Sequence, residues 1–423
     1  MDPVQQALIT IAAIFTVGAI GEAVFRRTGL PDVVWLIGVG VLIGPTFGLV
    51  STQELMGIAP LFAAITLVIV LFEGGRQLRL EDLTKAAGRA VSLALLSFFA
   101  SVLVVTGLVL LGIATGILPE SWTYMHGLLL GAILGGSSSI IIMPAMALAK
   151  MEPRVGNLVN LESAFTDVFC VVGATVLIAL MAPEAATGEH PGLVLGRSFG
   201  LALGVGLVVG ILGLLALPWL SESEHAYTYL LAGLLGLYAL VDSLEASAAL
   251  AILTCAVVLG NAPTIRKRFH ATKAGLSFQV TTVHTQLTFI IKSFFFTFIG
   301  AMLGPPWPIF ALGLGFGLAL LFARWMAVHV AWLGSGLGPE RRTVVLVSMP
   351  RGLAAGVLAT LPAAAGIPDV DFLPPLVFAA ILTSILIFAV AFPRARRGLP
   401  PETPPDPPPT STPTQAPPIA EAT

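Results

Sequence analysis

Charged residues are scarce in this 423-residue chain: 21 Lys and Arg and 23 Asp and Glu make up 10% of it, against roughly 25% in an ordinary soluble domain. Too few charges remain to cover a water-soluble globule of this length, and with 56% hydrophobic residues the missing polar surface is replaced by lipid-facing side chains. The net charge of −2 excludes a basic surface for nucleic acid. There are only two cysteines, Cys170 and Cys255, both inside apolar runs, so neither a disulfide framework nor a metal cluster is expected. No Walker loop supports a nucleotide-driven step. No Gly-x-Ser-x-Gly elbow or His partner supports an intramembrane hydrolase built on Ser137 to Ser139 with Lys292.

What the chain has is apolar runs long enough for a hydrocarbon core of about 30 Å. Thirteen are predicted, over 5–25, 33–50, 57–74, 90–114, 126–149, 157–181, 193–217, 227–241, 246–260, 277–303, 308–333, 342–365 and 373–392. Fusing the short eighth and ninth would give twelve. Loop charge separates the two counts, because cytoplasmic connections collect Lys and Arg. With thirteen spans, 17 basic residues fall on one side and Arg197 alone on the other. This places the N-terminus outside and the C-terminus in the cytoplasm, and the first run is expected to be a retained span, since MDPVQQ precedes it and Arg26 and Arg27 follow it, the reverse of a signal peptide's charge order. Residues 1–393 thus read as one all-α membrane domain, and 394–423 as a disordered, proline-rich cytoplasmic tail.

Three basic residues remain inside the spans, namely Lys292, Arg324 and Arg351. A charge there is costly and marks a pathway or a partner. Asp167 is the deepest carboxylate: ten residues into span 6, or about 15 Å at 1.5 Å per residue, it reaches the midplane. Lys292 and Arg351 lie at similar depth, which points to one shared site. Spans 5 and 12 look unable to remain regular helices there, because one contains Gly135-Gly136-Ser137-Ser138-Ser139 and the other Pro350-Arg351-Gly352. These spans are seven apart, so two inverted six-span repeats joined by span 7 would place both breaks at the midplane, the arrangement of a transporter's binding site. The oxygen donors Glu162, Ser163, Thr166, Asp167, Ser137 and Ser138 suit a small hard cation, with no His or Cys joining them. Asp167, Thr166 and Ser138 are the nearest candidate ligands. Arg324 reads as a snorkelling or structurally paired residue, Glu73 as a helix-end acid, and Gly200, Gly204, Gly206 and Gly210 as a helix-packing stripe. His126, His225 and His284 are candidate pH sensors.

The Phe72-to-Gly75 run, the Gly-Ala-Ile-Leu lead into the broken span 5, Glu162 to Asp167, Lys292 and Arg351-Gly352 together resemble the monovalent cation:proton antiporter superfamily, of the NhaP and NapA sodium/proton antiporter types. The likeness spans about residues 5 to 393. It implies an ion-binding core bundle beside a dimerisation bundle, a homodimer in the plasma membrane, a role in pH homeostasis, and no cofactor beyond the transported sodium, lithium or potassium and protons. It also implies that Asp167 is the ion- and proton-binding acid, that Glu162 supports the site in partnership with Arg351, and that Lys292 stands opposite the aspartate. Two positions depart from the pattern. Thr166 replaces the family's Asn, and Ser137-Ser138 replaces Thr-Asp, so the second carboxylate is missing. The expected mechanism is exchange by alternating access at Asp167, with Lys292 compensating the ion-free carboxylate. A sodium-coupled carrier of an organic solute on a similar fold is the alternative.

Overall fold

The computed structural model describes residues 3–28, 30–49, 52–78, 87–182, 191–220, 223–268, 278–304, 307–333 and 338–397. Every apolar run named above overlies helix. In chain order these are α1 (Pro3–Thr28), α2 (Asp32–Val41, continued by a π-helical turn Leu42–Thr46), α3 (Thr52–Gln77), α4 (Ala87–Ala114), the halves α5a (Tyr124–Ile133) and α5b (Ser139–Leu148), and α6 (Pro153–Met181). There follow α7 (Pro191–Leu220), α8 (Ala226–Ser243), α9 (Ala248–Gly260), α10 (Phe278–Met302), α11 (Trp307–Ala331), the halves α12a (Pro339–Val347) and α12b (Leu353–Leu358), and α13 (Leu373–Arg397). Among the described residues eight helices are long and apolar enough to cross a membrane, and no strand occurs. The proline-rich segment from Gly398 and the loop residues Arg79, Lys85 and Lys273 lie outside the described residues.

The helices sort into two groups. α4, α5, α6, α11, α12 and α13 pack chiefly on one another, and α1, α2, α3, α7, α8, α9 and α10 do the same. Helices seven apart in order therefore share a group. Of the glycines expected to pack closely in span 7, Gly206 and Gly210 sit against α9, whereas Gly200 and Gly204 meet no neighbour. Where α3 and α10 face α13, the contact is aromatic: Phe295 and Phe298 each stand edge-on to Phe378, with ring centroids 6.4 and 6.0 Å away, and Phe62 stacks on Phe295. Ion pairs follow the division too. Among the described residues each one joins helices of the same group, or residues of one helix.

Candidate functional site at the crossed helix breaks

The breaks form where the sequence disfavours helix. α5a stops at Ile133 before two glycines, and Pro350 has no N–H to continue α12a. The two breaks touch, since the Ser138 N–H donates to the Pro350 carbonyl at 2.8 Å. This crossing leaves no room beside Gly352, where a methyl group would lie 2.2 Å from Ser138 Oγ and 2.5 Å from its Cβ. Gly352→Ala is therefore expected to force the breaks apart, lowering stability by about 1 to 3 kcal/mol and reducing activity. Thermal unfolding in detergent, read beside the activity of the same preparation, checks this.

α6 supplies the polar side chains that hold the α5 break. Ser163 Oγ donates to the Ser137 carbonyl at 2.7 Å, the Ser137 N–H donates to Thr166 Oγ1 at 3.2 Å, and Ser137 Oγ donates to Glu162 Oε2 at 3.1 Å. Glu162, with no exposed surface, is paired with Arg324 at 2.8 Å. The same guanidinium donates to Ser97 Oγ on α4 and to the carbonyls of Val345 and Ser348 at the end of α12a. One buried arginine thus ties α4, α6, α11 and α12a together and satisfies carbonyls that a broken helix leaves free.

Asp167 stands apart from this bracing. Among the described residues it makes no hydrogen bond and joins no ion pair. Its carboxylate faces a cavity of about 20 Å³ lined also by Glu73, Ser137, Ser138, Ser139, Cys170 and Gly352, room for about one water molecule. A methyl group on Gly136 would lie 3.4 Å from Asp167 Oδ1, and one on Gly74 would lie 3.8 Å from Oδ2, so the α5 break and α3 flank the two oxygens. Ser138, buried and without a hydrogen bond from its hydroxyl among the described residues, lines the same space. A funnel of about 860 Å³ shares Glu73, Ser139 and Ile140 with this cavity and opens past Glu22, Asp32 and Lys292. On the far side, a second cavity of about 490 Å³ reaches Leu67 and Thr175 without touching Asp167.

The structure brings together some of the expected residues and separates others. Asp167, Ser137 and Ser138 meet at the cavity, while Glu162, Ser163 and Thr166 brace the break and do not line it. Lys292 is not opposite Asp167: it projects into the funnel and pairs with Asp32 at 2.5 Å. The Glu162–Arg351 pair does not form either. Arg324, read as a snorkelling or structurally paired residue, is paired and takes that place, and Arg351 donates to Ser101 Oγ at 3.2 Å while its buried Nε finds no acceptor among the described residues. Cys170, read as packing, lines the cavity. Its position three residues after Asp167 on one helix was the available signal, because such residues share a face. Glu73 is more than a helix-end acid: it sits at the neck between funnel and cavity, held by Arg76 at 2.6 Å and His284 at 2.9 Å. Of the other histidines, His126 Nδ1 accepts from the Thr123 N–H in the capping box of α5a, and His225 is the N-cap residue of α8.

Comparison with known proteins agrees with this architecture. The chain is 27% identical over 411 residues to the K(+)/H(+) antiporter NhaP2 of Shewanella sp. (strain ANA-3), covering 94% of this chain and 67% of that protein. It is 23% identical over 352 residues to the Na(+)/H(+) antiporter 1 of Methanocaldococcus jannaschii, covering 81% and 80%. The structure of the sodium proton antiporter MjNhaP1 from that organism at pH 8 superposes with a TM-score of 0.73 at 21% identity, covering 92% of this chain and all of that one, which shows a shared fold. The family profile described as sodium/hydrogen exchanger, transmembrane, matches residues 11–394. With two breaks in contact, Asp167 beside them and that match running from the first span to the last, the chain belongs to the transmembrane sodium/hydrogen exchanger family.

Proposed function

We propose that Asp167 is the exchange site of this protein, holding a proton or a monovalent cation in turn and never both. The chain is an integral membrane protein of a family of cation:proton exchangers, and monovalent cation:proton exchange is the activity that its likeness to K(+)/H(+) and Na(+)/H(+) antiporters supports. The observation that carries the site is the carboxylate without a partner. A negative charge held inside a membrane helix bundle without a protein partner is expensive, and either a proton or a cation relieves the cost. One site that must be neutralised by either of two ligands couples their movements.

Several features support the finer reading. Ser138 and freed backbone at the α5 break offer oxygen to sodium, lithium or potassium. A cavity the size of a water molecule favours a bare cation over an organic solute. The open funnel lies at the ends of α1 and α3 and the start of α10, beside the Lys- and Arg-rich connections, which supports a cytoplasmic opening. Thirteen crossings, an external N-terminus and inverted six-helix repeats fit that orientation and the two helix groups. The group without the breaks is the surface for a homodimer. The α4–α6, α11–α13 group moves against it to expose Asp167 alternately to the funnel and to the far cavity. Protein reconstituted in liposomes containing a pH-sensitive dye is expected to show proton movement on addition of at least one of sodium, lithium or potassium. No proton movement with any of them would refute the proposal.

A further inference from the structure

Among the described residues the funnel wall carries three carboxylates, and each already has a cation. Glu22 is paired with Arg26 at 2.8 Å and Glu73 with Arg76 at 2.6 Å, both within one helix, while Asp32 is paired with Lys292 across α2 and α10 at 2.5 Å. Of these Lys and Arg pairs only the last joins two helices. Asp32 is held in two ways. Its Oδ1 accepts from the Val33 N–H at 3.0 Å in the first turn of α2, so its direction does not depend on the lysine. Its Oδ2 accepts from Lys292, whose ammonium also lies 5.3 Å from the centre of the Phe289 ring. Both side chains line the funnel and keep about an eighth of their surface accessible, 14% and 13%.

From this geometry we infer that Lys292 sets the affinity for the incoming cation by masking Asp32, a carboxylate on the route from the funnel mouth to Asp167. It acts on entry of the cation through the funnel and takes no part in the exchange site itself. The masked pair gives the funnel little attraction for cations. An unmasked Asp32 would concentrate them near the neck, because charge in a cleft with low-dielectric walls acts more strongly than at an open surface. The inference rests on exchange through Asp167 with the funnel facing the cytoplasm.

Inside-out membrane vesicles present the funnel to the assay medium, so cation-dependent proton movement gives KM for that face directly. Lys292→Gln is expected to lower KM for the transported cation roughly three- to tenfold with kcat changed less than about twofold. The gain should shrink when ionic strength is raised with a salt that is not transported. Lys292→Arg keeps the mask and a KM near wild type. Asp32→Asn, which leaves an unmatched lysine in the funnel, raises KM, and the Lys292→Gln/Asp32→Asn pair returns it towards wild type. An unchanged KM in both single variants, or an equal fall for Lys292→Gln with and without Asp32, would overturn the inference. Failure of the exchange reading gives a different result: wild-type vesicles then show no cation-dependent proton movement at all.

Discussion

Asp167→Asn is expected to abolish cation-dependent proton movement, leaving reconstituted liposomes indistinguishable from empty ones, while the purified variant unfolds at the wild-type temperature or slightly above it. The two outcomes follow from one fact: among the described residues Asp167 has no hydrogen-bond or ion-pair partner to lose. Asparagine keeps the shape, removes a buried charge and cannot take up a proton. If protons and cations compete for the Asp167 oxygens, as proposed, KM for the cation in the wild type should rise as pH falls. A variant that still exchanged protons for cations would move the chemistry to another residue. Glu73, the other acid lining the cavity, would be the next to test.

The second large effect is opposite in kind. Arg324→Met leaves Glu162 buried and unpaired and strips the donor from the Val345 and Ser348 carbonyls. Breaking one side of such a buried pair costs about 3 to 5 kcal/mol, so the variant is expected to unfold at a much lower temperature in detergent, and its activity is lost with its fold. Adding Glu162→Gln removes the stranded charge and should recover part of the stability. A double-mutant cycle over these two positions measures their coupling, and additive losses would show that the pair does not hold the site together.

Counting along the helices assigns each polar residue an expected depth but not its direction. Helix counting put the two breaks at the right residues because glycine runs and proline act locally, whatever surrounds them. It put Lys292, Arg351 and Asp167 at one level, yet a level is a single coordinate. Which face of each helix meets which neighbour is decided by packing among distant segments, so the lysine found Asp32 260 positions away and Glu162 found Arg324 in place of Arg351. Asp32 drew no notice because it precedes the second apolar run, where an acid looks like an ordinary helix start. Glu162 and Thr166 were correctly placed near Asp167, but proximity along α6 did not reveal that their oxygens are occupied in holding the α5 break.

The partition of ion pairs has a mechanical consequence. A rocking motion that had to pull opposite charges apart would meet a tall barrier on every cycle and would slow or quicken with added salt. Here part of the contact between the two helix groups is ring against ring, as at Phe295, Phe298 and Phe378, and such faces can slip while keeping most of their contact. If the two groups move as proposed, no ion pair among the described residues has to break for Asp167 to change its occupant.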